Sequence, residues 1–299
     1  MPFENLLGNS KVKDILNNSL ENDNILHSYL FVGIEGIGKQ IFAKEFAKNI
    51  LCEKNDKNNS CKSCLAIQDG NHPDFMIIEP DGKNIKIEQI RYMQKKIAEK
   101  PILSNKKIYI INDSQNMTEE AQNCLLKTLE EPPEYAIIIL ISSNESKLLN
   151  TIKSRCTKEV FNRIKDEDIK KYLKEKNNID IKDSELQICE GSIGKAISLQ
   201  ENKEEYKKIE YLIQNIKNID LIDMFDKAEV LYKAKEKIFN LLDYMNILIY
   251  SNNKGNYINA IQYVENTKKR LLSNANYDMC IDYLLVNIWE EINEKYSRS

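Results

Sequence analysis

Arginine is scarce in this chain. Of 43 Lys plus Arg only five are arginine, Arg91, Arg155, Arg163, Arg270 and Arg298, so a site that needs a planar, always charged fork has few candidates. Glycine (9) and proline (6) are sparse in 299 residues, which excludes a low-complexity chain and points to a mostly helical one. Long apolar runs are missing as well. The longest, such as "AIIILIS" at 136–142, fall well short of the ~20 residues that cross a bilayer. The start, "MPFENLLGNS", lacks a basic segment followed by an apolar one, so a soluble, cytoplasmic protein is expected. A net charge of -3 gives no global basic field, and any nucleic acid is then touched locally or through partners. Strands that interleave aromatic and basic residues are also lacking, which speaks against a direct single-strand binder.

What is present is enough for two or three domains with real cores: 42% hydrophobic and 30% charged residues over this length. From Leu26 to about Phe161, "SYLFVG", "FMIIEP", "KIYIIN" and "AIIILISS" read as strands. Between them "KQIFAKEFAKNIL", "IEQIRYMQKKIAEK" and "EEAQNCLLKTLEE" carry apolar residues at helical spacing. Such alternation implies an α/β domain with a parallel sheet covered on both faces. Ahead of it "SKVKDILNNSLEN" reads as a helix with Ser10 as N-cap. After Phe161 the text is helical throughout. The expected division is an α/β domain over 1–162 with a Cys-containing insertion at 52–72, a small helical unit over 163–202, and an all-α bundle over 203–299.

"GIEGIGKQ" follows a strand and opens a helix. In that setting Gly33, Gly36 and Gly38 let backbone N–H groups face a phosphate, with Lys39 as a point charge. The bland reading is a tight strand-to-helix turn. The loop ends in Gln40 where Ser or Thr normally holds magnesium, and the second strand offers Asn112 and Asp113 where a metal-holding acid is expected. Neutral amides at both metal-side positions argue against a working ATPase and leave retained architecture that binds nucleotide weakly or not at all.

Seven cysteines divide into four isolated ones (Cys124, Cys156, Cys189, Cys280), read as small buried hydrophobes, and a cluster, Cys52, Cys61 and Cys64, in a C-x8-C-x2-C spacing. A structural zinc site wants four ligands, so three thiols are an incomplete set. His72 is the nearby candidate for a fourth.

"HSYLFVGIEGIGK" (27–39), "AQNCLLKTLEEPPEYAIIILISSN" (121–144), "LLNTIKSRC" (148–156) and "GSIGKA" (191–196) together resemble the bacterial clamp-loader subunits of DNA polymerase III, from about Phe3 to Leu199. The likeness is strongest to the delta-prime branch, whose members commonly lack ATPase activity. The tau/gamma branch keeps the hydroxyl and the acidic pair, and a catalytically active subunit of that type is the alternative. The resemblance implies an AAA+ fold with a helical lid and a C-terminal collar. It also implies partnership with tau/gamma and delta subunits, the sliding clamp and primed DNA, in a DNA polymerase holoenzyme where ATP is bound by the complex. It makes Arg155 of "SRC" an arginine finger supplied in trans to a neighbour's ATP site, where a surface salt bridge is the plainer reading. Ser143 and Asn144 fall where such folds carry a polar phosphate sensor, and Lys195 where a second sensor falls. The family's zinc module has a fourth Cys where this chain has Ile67. The apolar stripe Ile238, Leu241, Leu242 and Met245 is assigned either to internal packing or to the collar.

Overall fold

The computed structural model describes residues 2–52, 61–253 and 258–297. The chain forms two compact units, one of residues 1–179 with 191–194, the other of 180–190 with 195–299.

The first unit holds α1 (Ser10–Glu21), β1 (Ser28–Val32), α2 (Lys39–Leu51), α3 (Lys62–Gln68), β2 (Phe75–Ile78), α4 (Ile87–Ala98), β3 (Lys107–Ile111), α5 (Glu119–Glu130), β4 (Ala136–Ser142), α6 (Asn150–Lys153), β5 (Thr157–Val160) and α7 (Asp166–Asn177). The strands form one parallel sheet in the order β2-β3-β4-β1-β5. Every residue of β3 and β4 is buried, which is why both are apolar runs without alternation, save Lys107 at the start of β3 and Ser142 at the end of β4. On one face Ile90, Met93 and Ile97 of α4 and Ala121, Leu125 and Leu129 of α5 pack with Ile111, Ile138 and Leu140. On the other an aromatic group forms: Phe3 stacks on Phe42 at 5.9 Å, Tyr29 meets Phe46 at 5.3 Å, and Phe161 meets Phe31 and Phe42 at 5.2 and 5.1 Å.

Two local readings change. Ser10 is the first residue of α1, and Asn9, left-handed at φ 52°, is its N-cap without a side-chain cap bond. The Asn9 Oδ1 instead accepts the Asn162 N–H at 2.7 Å. The fifth strand, "TKEV", lies on the sheet edge with only Glu159 buried, so its letters carry no apolar run to announce it.

The second unit is helical among its described residues: α8 (Asp183–Cys189), α9 (Ile193–Glu201, whose first two residues belong to the first unit), α10 (Lys203–Asn215), α11 (Leu221–Lys227), α12 (Glu229–Lys233), α13 (Ile238–Asn253), α14 (Ile258–Leu272) and α15 (Tyr277–Ser297). Ile238, Leu241, Leu242 and Met245 are all buried, and α13 packs on α10 and α14. That stripe belongs to the internal core of the unit. No helix among the described residues is long and apolar enough to cross a membrane.

Candidate functional site

The glycine loop joins β1 to α2, and Gly38 caps α2 in a left-handed conformation (φ 97°) that a β-carbon would strain. Lys39 is buried at 6% exposure. Its ammonium donates to the loop's own carbonyls, Gly33 O at 2.6 Å and Ile34 O at 2.8 Å. Burial pulls its pKa down to about 8, against the opposing charges of Asp113 and Glu35. The Gly194 N–H donates to Gly36 O at 2.8 Å, and a β-carbon on Gly194 would stand 2.8 Å from Gly36 Cα. This close approach is what the glycine of "GSIGKA" permits.

The metal-side positions are engaged too. Gln40 Nε2 donates to Glu79 Oε1 at 2.9 Å, just beyond the end of β2. Asn112 Nδ2 donates to Asp113 Oδ2 at 3.3 Å, and Gln115 Nε2 donates to Asp113 Oδ1 at 3.1 Å. Gln115 Oε1 in turn accepts the Ser143 N–H at 3.1 Å. Asn144 Oδ1 accepts from Ser146 N–H and Oγ–H at 3.0 and 2.6 Å. Lys195 pairs with Glu190 at 3.3 Å. Around the loop, Asp113 and Glu35 act on the Lys39 ammonium and Glu79 is engaged by Gln40.

Arg155 lies between α6 and β5. Its Nη2 donates to Glu130 Oε1 at 2.6 Å, and its Nη1 donates to Thr151 O at 2.9 Å and Ser154 Oγ at 3.5 Å. The side chain remains 34% exposed. Cys156 beside it is packed inward, and burial raises its thiol to about 12. The segment that leads from β4 into α6 is held by Gln122 of α5: its Nε2 donates to Met117 O and Lys147 O at 3.3 and 3.1 Å, and its Oε1 accepts the Leu149 N–H at 2.8 Å. Glu130 stands on what reads in the sequence as an ordinary solvated face, and it is exposed at the end of α5. The signal for Gln122 lay in helical phase: it sits beside Ala121 on the buried face, where a polar residue must find partners.

Cys52, Cys61 and Cys64 do come together, with their sulfurs all within 4.8 Å of one another. Cys52 and Cys61 Sγ are 3.8 Å apart, and Cys61 Sγ accepts the Cys64 N–H at 3.3 Å to cap α3. Burial and the two adjacent thiols raise Cys64 to about 12. His72 does not join them. Its Nδ1 accepts the Asp74 N–H at 3.0 Å, which leaves the Nε2–H to donate to Ser63 Oγ at 2.6 Å. Both nitrogens are occupied, so the described residues supply three of the four ligands of a structural zinc site and do not close one. His72 and Asp74 instead pin a loop: the buried Asp74 carboxylate accepts the N–H groups of Ile102, Leu103 and Ser104 at 2.8, 2.7 and 2.9 Å.

With loop, arginine and sheet order in view, comparison with known proteins is decisive. Residues 8–165, more than half of the chain, match the family described as DNA polymerase III, delta subunit. The chain belongs to this family. It is 36% identical to the DNA polymerase III subunit delta' of Bacillus subtilis (strain 168) over 65% of this chain and 60% of that protein. It is 31% identical to the subunit tau/gamma of Haemophilus influenzae over 66% of this chain and 30% of that protein. The match therefore spans less than two thirds of these relatives' own length. A solved DNA polymerase III gamma subunit-related protein from Thermotoga maritima superposes with a TM-score of 0.61 at 21% identity, covering 92% of this chain and 99% of that one. The fold of the clamp-loader family, an AAA+ α/β domain with a helical part, agrees with the one read from the sequence, and the delta-prime resemblance agrees with the family match.

Proposed function

We propose that this clamp-loader family member is an ATPase-silent subunit of the delta-prime type. It completes an arc of clamp-loader subunits, stands beside tau/gamma and delta, and helps load the sliding clamp onto primed DNA within a DNA polymerase holoenzyme. Its helical C-terminal part contributes to the collar. Arg155 is the group it offers, as a finger that stabilises charge on the phosphate transferred in a tau/gamma neighbour's ATP site.

One observation carries the reading: the phosphate loop is already satisfied from within the chain. Lys39 holds the carbonyls of Gly33 and Ile34, and Gln40 holds Glu79. Binding Mg-ATP would require breaking these bonds, with the amides Gln40 and Asn112 in place of the hydroxyl-carboxylate pair that grips magnesium.

The second reading, an active tau/gamma-type ATPase, is favoured by the retained Gly33, Gly36, Gly38 and Lys39 and by tau/gamma relatives of comparable identity. ATP hydrolysis separates the two. The isolated chain should turn over no ATP above background, and the assembly with tau/gamma and delta should hydrolyse it. Arg155→Ala should lower that rate by roughly a thousandfold or more at the adjoining site. Turnover by the isolated chain, or an unchanged rate in the Arg155→Ala assembly, defeats the proposal.

A further inference from the structure

We propose that Glu130 is the positioning residue of Arg155, holding the guanidinium in the orientation in which it meets a neighbouring subunit. This rests on the finger reading above.

An arginine at the end of a flexible stem is a poor finger unless its plane is fixed, because a misplacement of an ångström weakens a transition-state contact severely. Here two anchors on different nitrogens fix it: Nη2 to the Glu130 carboxylate at 2.6 Å and Nη1 to the Thr151 carbonyl at 2.9 Å. A single anchor would leave a swivel. With the longer Ser154 contact these bonds engage at most three of the five N–H donors. The remainder stay available on a side chain that is one-third exposed.

Glu130 is itself on firm ground as the last residue of α5. That helix is seated in the core through Ala121, Leu125 and Leu129, and its Gln122 holds Lys147 and Leu149 just ahead of α6. A cation at the C-terminal end of a helix is also favoured by the helix dipole.

The experiment uses full-length chain assembled with tau/gamma and delta subunits, and reads ATP hydrolysis alongside the melting temperature of the free chain. Glu130→Ala should lower kcat roughly tenfold with KM and melting temperature unchanged, and Glu130→Asp should recover part of the loss. In an Arg155→Ala background Glu130→Ala should add nothing. If Arg155→Ala alone leaves hydrolysis intact, the finger reading fails and takes this inference with it. If Arg155→Ala lowers hydrolysis while Glu130→Ala leaves kcat unchanged or raises it, the finger stands and positioning by Glu130 is overturned. Positioning is equally overturned by a Glu130→Ala loss that persists without Arg155, or one accompanied by a lower melting temperature.

Discussion

Lys39 and His72 both show a side chain whose letter suggests one chemistry while its neighbours dictate another. The Lys39 ammonium bridges two carbonyl oxygens of its own loop, so Lys39→Met should leave those acceptors short and destabilise the protein by about 1–3 kcal/mol in denaturant titration. A lysine kept only for phosphate would give no such change. His72 is held neutral, with its pKa below the ordinary 6.5 because of burial. An unfolded chain takes up that proton as pH falls below about 6.5 and the folded site resists, so stability from this group is lost from there toward the lower folded pKa. The melting temperature should accordingly fall more between about pH 7 and pH 5.5 in the native chain than in His72→Gln. The sequence displayed the glycines, Lys39 and the missing hydroxyl plainly. It could not display the Gln40–Glu79 pair, because that contact depends on how β2 and the loop are brought together by the sheet.

Among the elements, α5 was the most legible. Thr118 caps it, its Oγ1 accepting the Ala121 N–H at 3.3 Å, and the leucines fall where the spacing puts them. Thr118→Ala should cost about 1 kcal/mol by thermal or chemical denaturation. Gln122→Ala should cost more, about 1–3 kcal/mol, since it strips partners from Met117 O, Lys147 O and Leu149 N–H in a buried place. The same residue was illegible as a site component, because periodicity records apolar faces and says nothing of which loop a buried amide will reach. β5 was missed for a related reason: an edge strand needs only one inward residue, and "TKEV" supplies Glu159. The Asn9 cap of α1 was misread because its side chain is taken by Asn162, far along the sequence.

At the scale of the whole molecule, the cysteine cluster lies outside the apolar cluster that seats α4 and α5, although Cys61 and Cys64 are themselves buried. The thiols lack a fourth ligand among the described residues. Exposure to a zinc chelator should therefore leave the far-UV circular dichroism and the melting temperature unchanged. A loss of helical signal on chelation would mean that a closed metal site supports the fold. The strand order has a consequence for biosynthesis. β1 leaves the ribosome before any other strand, yet its two hydrogen-bonded neighbours are β4 and β5, the last to be made. The apolar segment "SYLFV" must wait, unpaired on both sides, until the sheet can close around it. During that interval it is the stretch of nascent polypeptide with most to gain from a chaperone.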